Sequence, residues 1–256
     1  MAQIIDGKKI STQIKDEVKE QVAALKQKGI DVTLAVIQIG KDPASTVYVG
    51  NKKKACEYVG IRSLAYELPE ETSEQELLEL VQSLNAKEDV DGILVQLPLP
   101  KHIDEDKVIR TISPDKDVDG FHPESVGRLS IGQPGFVSCT PAGIIQLLKR
   151  SGITIDGKEC VIIGRSNIVG KPMGMLLLRE NGTVTICHSH TPDLKTVAKR
   201  ADILVVAIGK AKFVDASYVK DGAAVIDVGM DRDENGKLCG DVDFASVEPV
   251  AGAITP

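Results

Sequence analysis

A chain of 256 residues is long enough for two domains of ordinary size, each with a core of its own. Apolar residues make up 42% of the sequence and charged residues 27%, which is typical of a globular protein. The net charge is −6 and there is no Trp, so the chain lacks the basic surface and the aromatic platform that nucleic-acid binding uses. These features argue against a nucleic-acid partner.

The N-terminal residues and the cysteines indicate the cellular location. Residues 1–10 are charged from Asp6 onward and lack the apolar core of a signal peptide, and no apolar run approaches membrane-spanning length. The five cysteines are odd in number, widely spaced and without a Cys-x-x-Cys pair, which argues against a disulfide framework or a zinc site. We therefore expect a cytoplasmic protein with reduced thiols and no membrane partner.

Helix and strand patterns alternate along the first half of the chain. Residues 8–28 predict a helix that ends at Gly29, and Thr33–Ile39 predicts a buried strand. Asp42 is then an N-cap with Pro at the first helical position, and Gly60 ends the helix that they begin.

A further helix and a further strand are predicted before the sequence becomes rich in Gly, Pro and Asp. Ser73-Glu-Gln-Glu76 is a capping box ahead of an apolar helix, and residues 93–96 predict a short buried strand. Residues 113–138 are rich in Gly, Pro and Asp and show little periodicity, so they are the candidate domain junction. We place the two domains at residues 1–120 and 121–256.

The second half alternates strands with helices, which predicts a parallel sheet with crossover helices. The predicted helices cover residues 140–151 (the connecting helix), 172–180 and 192–200, and the predicted strands begin at Cys160 and cover 184–187, 203–207 and 224–227. The expected fold class is α/β, with an N-terminal α/β domain, a C-terminal Rossmann-like parallel-sheet domain and a cleft between them.

A glycine-rich loop follows the strand that begins at Cys160. It reads Gly164-Arg-Ser-Asn-Ile-Val-Gly170-Lys-Pro172-Met-Gly174 and leads into a helix. A strand that passes through a glycine turn into a helix N-terminus presents backbone N–H groups to a pyrophosphate, so the loop is a candidate dinucleotide site. Its glycines are spaced more widely than in Gly-x-Gly-x-x-Gly, and a tight turn without a ligand is the alternative.

The end of the next strand indicates which dinucleotide binds. An NAD site usually has Asp or Glu about 20 residues past the loop, whereas this chain has Cys187-His-Ser-His190 there. Arg165 and Ser189 can meet a ribose phosphate, so the residues favour NADP. His188 and His190 form a His-x-His pair, but the sequence supplies no further ligands near them, and we expect no metal.

Four residues of the first half are candidates for substrate chemistry. Tyr48 and Lys52 are four apart on one predicted helix and share a face. Gln96 ends a predicted strand, and Asp119 lies in an acidic loop near the domain junction. Taken singly, Lys52 can be a solvated lysine, Tyr48 a core residue and Asp119 an ordinary loop residue.

Taken together, these residues belong to an ordered set of motifs. The set consists of Tyr48-x-x-x-Lys52, Val95-Gln-Leu-Pro-Leu-Pro100, Asp115-Lys-Asp-Val-Asp-Gly120, Gly164-Arg-Ser-x-Ile-Val-Gly-x-Pro172 and Gly252-Ala-Ile-Thr-Pro256. With these motifs the chain strongly resembles the bifunctional methylenetetrahydrofolate dehydrogenase/methenyltetrahydrofolate cyclohydrolase family, over essentially its whole length.

The resemblance implies a two-step reaction of one-carbon folate metabolism. A hydride passes from the one-carbon bridge of methylenetetrahydrofolate to NADP, and water then opens the methenyl cation to give formyltetrahydrofolate. By the same resemblance, the first domain binds the folate and carries the catalytic residues, the second binds NADP, and the protein is a homodimer.

The resemblance also assigns roles to single residues. Lys52 moves protons during ring opening, and Gln96 orients Lys52 through a hydrogen bond. Tyr48 stacks on flat parts of the folate and offers a hydroxyl, and Asp119 accepts two hydrogen bonds from the pterin. The implied cofactor contacts are Gly164, Arg165, Ser166, Ser189 and Met230.

The chain departs from the family pattern at three places. Ser138 precedes Cys139 where the family commonly has Pro, and Met230 stands where Ile is more usual; we expect little consequence from either. Family members continue past the position of Pro256 with a Gly- and Pro-rich loop and a final helix. We expect the same continuation for this protein, and the alternative is a truncated variant with an incomplete site.

Three other classes of protein are alternatives to this family. A short-chain dehydrogenase also uses a Tyr-x-x-x-Lys pair, but there the pair follows the glycine loop, whereas Tyr48 and Lys52 precede it here. A monofunctional dehydrogenase has no need of both Lys52 and Gln96. A non-catalytic dinucleotide sensor does not need a titratable cluster facing the nicotinamide, whereas a hydride-transfer enzyme does.

Overall fold

The computed structural model describes residues 2–234 and 236–256, and this part of the chain forms two compact units. One unit, here the first unit, consists of Ser11–Val137; the second unit consists of residues 2–10 together with Ser138–Pro256. Among the described residues, no helix is long and apolar enough to cross a membrane.

The first strand, β1 (Gln3–Ile4), belongs to the second unit, and helix α1 (Gly7–Gln27) leads from it into the first unit. The first unit then has a three-stranded parallel sheet in the order β3-β2-β4, with helices between the strands. Its elements are β2 (Thr33–Ile39), α2 (Pro43–Val59), β3 (Arg62–Leu68), α3 (Glu74–Asn85), β4 (Gly92–Val95), α4 (Glu105–Thr111) and α5 (Pro123–Ser130).

The second unit has a six-stranded parallel sheet in the order β1-β11-β8-β7-β5-β6, and a short antiparallel hairpin. Its elements after α5 are α6 (Cys139–Arg150), β5 (Glu159–Ile163), α7 (Gly170–Arg179), β6 (Thr183–Cys187), α8 (Leu194–Ala198), β7 (Ile203–Val206), a 3₁₀ turn (Ala216–Tyr218), β8 (Ala224–Asp227), the hairpin strands β9 (Asp231–Arg232) and β10 (Leu238–Cys239), α9 (Phe244–Val247) and β11 (Ala253–Ile254).

The observed elements confirm the predicted α/β class and the parallel sheet of the second half. The chain turns from β5 to β6 on one side and then returns to β7 on the other side of β5. In open parallel sheets, this reversal creates a crevice at the carboxyl ends of the central strands, where ligands bind. The candidate glycine loop follows β5 and therefore lies at that position.

The division into units differs from the predicted boundary after residue 120. Residues 121–137 belong to the first unit, because the buried Asp117 carboxylate accepts hydrogen bonds from the His122 backbone and the Ser125 hydroxyl. Residues 2–10 belong to the second unit, because β1 pairs in parallel with β11. The predicted connecting helix over 140–151 is α6.

Candidate functional sites

Helix α2 carries two of the predicted substrate residues and has a well-defined start. The Asp42 carboxylate accepts a hydrogen bond from the Ser45 backbone N–H at 2.8 Å, and Pro43 occupies the first turn. Gly60 ends the helix in a left-handed conformation, with φ of 87°. These caps fix the helix on which Tyr48 and Lys52 lie one turn apart.

Lys52 and Gln96 meet in the structure although they are 44 residues apart. The Lys52 Nζ donates a hydrogen bond of 2.9 Å to the Gln96 Oε1, and the Gln96 Nε2 donates one of 2.7 Å to the Leu97 carbonyl. Gln96 follows β4 directly, and its backbone N–H donates to Ile37 of β2. The amide is held at both ends, so its oxygen faces the lysine.

Asp119 lies in the loop that follows α4, in the same unit as Lys52. Burial raises the pKa of its carboxyl to about 6; the Lys52 charge opposes this shift and the Asp117 charge reinforces it. The carboxyl is therefore within electrostatic reach of Lys52 and titrates close to neutral pH. Tyr48 is exposed to 44%, so the predicted alternative of a core tyrosine is wrong.

Asp117 was not selected as a site residue from the sequence. It is 1% exposed, and its carboxylate accepts hydrogen bonds from the His122 N–H at 2.8 Å and the Ser125 Oγ at 2.7 Å. Its backbone oxygen also accepts from the Gly120 N–H. Asp117 thereby fixes the turn that carries Asp119. Its position two residues before Asp119, in the same acidic motif, is the feature by which the sequence could have indicated it.

The glycine loop of the second unit needs its glycines for close backbone contact. Gly164 has φ of 132°, and a Cβ there would lie 2.2 Å from the Ala207 carbonyl oxygen. A Cβ on Gly170 would lie 2.2 Å from the Gly164 oxygen. The Ser166 Oγ accepts from the Val169 N–H at 3.2 Å and the Gly170 N–H at 3.4 Å, which caps the start of α7.

A pocket of about 290 Å³ lies at the carboxyl ends of β5, β6 and β7. Three predicted cofactor residues line it together: Gly164, Arg165 and Ser189. The opposite wall includes Ile208, Lys210 and Phe213. Among the described residues, Ser166 and Met230 are not part of this lining, and Met230 is 64% exposed.

The histidine pair near this pocket is engaged in local hydrogen bonds. The His188 Nδ1 accepts from the His190 backbone N–H at 3.1 Å, and the His188 N–H donates to the Thr191 Oγ1 at 2.9 Å. Within residues 2–234 and 236–256, no group of three or more His, Cys, Asp or Glu side chains could hold a metal ion. Cys56, Cys160 and Cys187 are buried free thiols.

The doubly wound sheet, the glycine turn at its reversal and the pocket there define a dinucleotide-binding class of α/β protein. Sequence comparison is more specific. Residues 5–119 match the catalytic domain, and residues 138–256 the NAD(P)-binding domain, of tetrahydrofolate dehydrogenase/cyclohydrolase. The chain belongs to the tetrahydrofolate dehydrogenase/cyclohydrolase family, as its motifs predicted.

Curated relatives are similar over the whole chain. The bifunctional protein FolD of Lachnoclostridium phytofermentans is 73% identical, covering 100% of this chain and 91% of that protein. The FolD of Agathobacter rectalis is 72% identical, covering 100% of this chain and 92% of that protein.

Solved structures of the family share the fold. The bifunctional FolD of Campylobacter jejuni superposes with a TM-score of 0.97 at 49% identity, covering 100% of this chain and 91% of that one. The dehydrogenase-cyclohydrolase of Trypanosoma brucei, solved with NADP and an inhibitor, gives 0.93 at 39% identity, covering 100% and 90%.

Proposed function

We propose that this protein oxidises methylenetetrahydrofolate to methenyltetrahydrofolate with NADP and hydrolyses the product to formyltetrahydrofolate. Membership of a dehydrogenase/cyclohydrolase family and 73% identity to a bifunctional FolD support both activities. The single observation that carries the second activity is the 2.9 Å hydrogen bond from Lys52 to Gln96. A hydride-transfer site has no need of an oriented amine, whereas a hydrolytic site does.

The residues of the second unit fit NADP. The glycine turn leads from β5 to the N-terminus of α7 at a sheet reversal, a position that favours a pyrophosphate. Arg165 and Ser189 line one pocket, and residues 187–190 at the end of β6 carry no carboxylate that would repel a ribose phosphate. When bound, NADP supplies the hydride acceptor. The T. brucei relative, solved with NADP, supports this choice.

In the first unit, Asp119 and Tyr48 are proposed to bind the folate. The ionised carboxyl of Asp119 accepts hydrogen bonds from the pterin amino and ring N–H groups. Asp117 holds the loop that carries Asp119 and so keeps this carboxyl in one orientation. The exposed Tyr48 ring, one turn before Lys52, offers a stacking surface and a hydroxyl. Binding thus places the one-carbon bridge near the Lys52 amine.

Lys52 is proposed to move the protons of the hydrolytic step. Hydride loss leaves a methenyl carbon bonded to two nitrogens, and water adds to this cationic carbon. The Lys52 amine takes one proton from the attacking water and passes it to the ring nitrogen as the carbon–nitrogen bond breaks. The remaining hydroxyl proton leaves to solvent as the formyl C=O bond forms. Gln96 accepts a hydrogen bond from Nζ without adding charge, so it directs the amine in either protonation state.

Absorbance assays of the purified protein test this proposal. With methylenetetrahydrofolate and NADP, a reduced-cofactor signal is expected, and added methenyltetrahydrofolate should disappear faster than it hydrolyses spontaneously. A reduced-cofactor signal without accelerated disappearance would favour the monofunctional alternative. Dinucleotide binding with neither reaction would favour the sensor and contradict the proposal.

We also propose a cytoplasmic homodimer, with the folate site in Ser11–Val137 and the NADP site in the second unit. The family resemblance supports the dimer, and the match of residues 138–256 to an NAD(P)-binding domain supports the division of sites. Sedimentation equilibrium should give twice the mass of one chain, and a single-chain mass would contradict the dimer.

A further inference from the structure

The loop after β7 forms one wall of the 290 Å³ pocket, and a distant carboxylate holds it. The Asp241 Oδ2 accepts from the Ile208 N–H at 2.8 Å, and its Oδ1 accepts from the Lys210 N–H at 2.6 Å. Both of these residues line the pocket, and Gly209 between them has φ of 64°. Asp241 is 0% exposed and lies more than 30 residues later in the chain.

Asp241 is itself fixed by a second, half-buried carboxylate. The Asp227 Oδ1 accepts from the Asp241 N–H at 3.0 Å, and the Asp227 Oδ2 accepts from the Val242 N–H at 2.9 Å. The Asp227 Oδ1 also accepts from the Gly229 N–H, one residue before Met230. Asp227 ends β8, so hydrogen bonds connect the sheet to Asp241 and through it to the pocket wall.

We propose that Asp241 is a positioning residue for the dinucleotide: it holds the backbone of Ile208 and Lys210 in the conformation that shapes the pocket. The inference rests on the proposed NADP-dependent function. Asp241 does not line the pocket, so it acts through the loop and not through the ligand. Two N–H donors on one side chain require two acceptor oxygens, which an ionised carboxylate has and an amide lacks.

A third carboxyl group, that of Asp231, lies beside Asp241. Burial, followed by the hydrogen bond to Asp241 and the charges of Asp241 and Asp227, raises the pKa of Asp231. Each backbone N–H group that donates to Asp241 forms a stronger hydrogen bond with a charged oxygen than with a neutral one.

Asp241→Asn tests the inference, because the amide replaces one acceptor oxygen with a donor that faces a backbone N–H. The KM and Kd for NADP should each rise by roughly tenfold or more, the loss expected for one hydrogen bond to a charged group. Cyclohydrolase activity, measured without cofactor, should stay within about twofold, as for independent sites. Asp202→Asn is the matched control. Asp202 lies at the amino end of β7, opposite the pocket end of that strand, and its carboxylate also accepts a backbone hydrogen bond, from the Glu159 N–H. This variant should leave NADP binding unchanged.

The outcomes separate the inference from the proposed function. Unchanged NADP affinity in folded Asp241→Asn, or an equal loss of both activities, would overturn the positioning role. Absence of both activities in the wild-type protein would instead contradict the proposed function. If Asp241→Asn does not fold, hydrogen exchange on the wild-type protein decides: the amides of Ile208 and Lys210 should be protected and become more so with NADP. Exchange at the rate of an unfolded peptide would overturn the inference.

Discussion

In the proposed function, Lys52 is the residue whose chemistry distinguishes a bifunctional enzyme from a dehydrogenase. Lys52→Met keeps the aliphatic chain and removes the amine that donates to Gln96. General acid–base groups contribute about 10²–10⁴-fold, so cyclohydrolase activity should fall by at least ~100-fold. Dehydrogenase activity should fall less, because hydride transfer leaves no proton for Lys52 to carry. The measurement is a pair of rates on one preparation: methenyl formation and methenyl disappearance.

Lys54→Met is the matched control, because Lys54 is an exposed lysine on the same helix. It should retain both rates, and the NADP affinity of both variants should stay within about twofold of wild type. Full cyclohydrolase activity in Lys52→Met would show that Lys52 is a solvated surface lysine.

Asp119, the proposed pterin acceptor, should couple folate binding to pH. Burial raises its folded-state pKa from 3.8 to about 6, so the carboxylate acceptor is lost as pH falls through 6. Folate affinity should therefore weaken between pH 7 and pH 5. The raised pKa also means that, at neutral pH, the ionised Asp119 carboxylate lowers the free energy of unfolding. This cost is present above about 6 and disappears as pH falls towards 3.8.

Asp119→Asn should consequently bind folate more weakly and yet unfold at higher denaturant concentration. At pH 8 the gain in the free energy of unfolding should be about 1 to 3 kcal/mol, from about 1.4 kcal/mol per pKa unit, and it should shrink towards pH 4. Asp115→Asn, in the same loop but exposed, should show neither effect. Loss of NADP affinity with unchanged folate affinity would contradict the assignment.

Arg165 is proposed to select NADP over NAD. Arg165→Ala should weaken NADP binding by roughly ten- to a hundredfold, since a hydrogen bond to a charged group is worth about 1.5–3 kcal/mol. NAD binding should hardly change, because NAD lacks the ribose phosphate. Titration of both cofactors against this variant and against Arg179→Ala, an exposed arginine at the other end of α7, measures the effect. Equal losses for both cofactors would refute the selection.

Elements with local end signals or a buried apolar run were predicted from sequence, whereas some short or partly polar elements were not. Asp42-Pro43 and Gly60 located α2, and the Ser73 capping box located α3, because those signals act within a few residues. Strand β3 (Arg62–Leu68) was missed because it lies at the edge of its sheet, contains no fully buried residue and has two charged residues among its seven. The strands β1 and β11 are two residues each, and only their pairing defines them.

The same distinction applies to the sites. Tyr48 and Lys52 could be placed on one helix face from their spacing, and Gly164 from the strand before it. Asp241 could not be predicted, because its partners are backbone N–H groups more than 30 residues away. Backbone partners leave no signal in the identity of a side chain, so only the folded sheet reveals them.

At the scale of an element, the approach of the glycine loop to β7 sets the geometry of the pocket. Gly164→Ala places a Cβ 2.2 Å from the Ala207 oxygen at a φ that disfavours L side chains. Overpacking and backbone strain each cost about 1–3 kcal/mol, so the free energy of unfolding should fall by about 2–6 kcal/mol and NADP binding should be lost.

Gly157→Ala is the control for this effect. Gly157 also has a positive φ, of 71°, but nothing lies within 4 Å of an added Cβ. Its free energy of unfolding should fall only by the cost of placing Ala in the left-handed conformation, about 1–2 kcal/mol, and NADP binding should be kept. Denaturant unfolding and NADP titration of both variants give the comparison, and equal destabilisation of the two would show that strain, not contact with Ala207, dominates.

At the scale of the whole molecule, the two compact units do not follow the order of the chain. Residues 2–10 complete the sheet of the second unit, where the Ile5 N–H donates to the Ile254 oxygen at 2.8 Å. Ile5 is 0% exposed. The stability of the second unit should thus depend on residues that precede the whole first unit in sequence.

Ile5→Ala tests this dependence. Truncating a buried isoleucine costs about 2–5 kcal/mol, and the cost should fall on the second unit. Hydrogen exchange should accelerate in β5, β7 and β8, whereas amides of β2 and β4 should keep their wild-type protection. Saturating NADP should restore part of the lost protection, because a ligand of the folded unit stabilises it by mass action. Ile30→Ala, which alters an exposed isoleucine, should change neither sheet. Equal acceleration in both sheets would show that the molecule unfolds as one cooperative body and that Ile5 stabilises all of it.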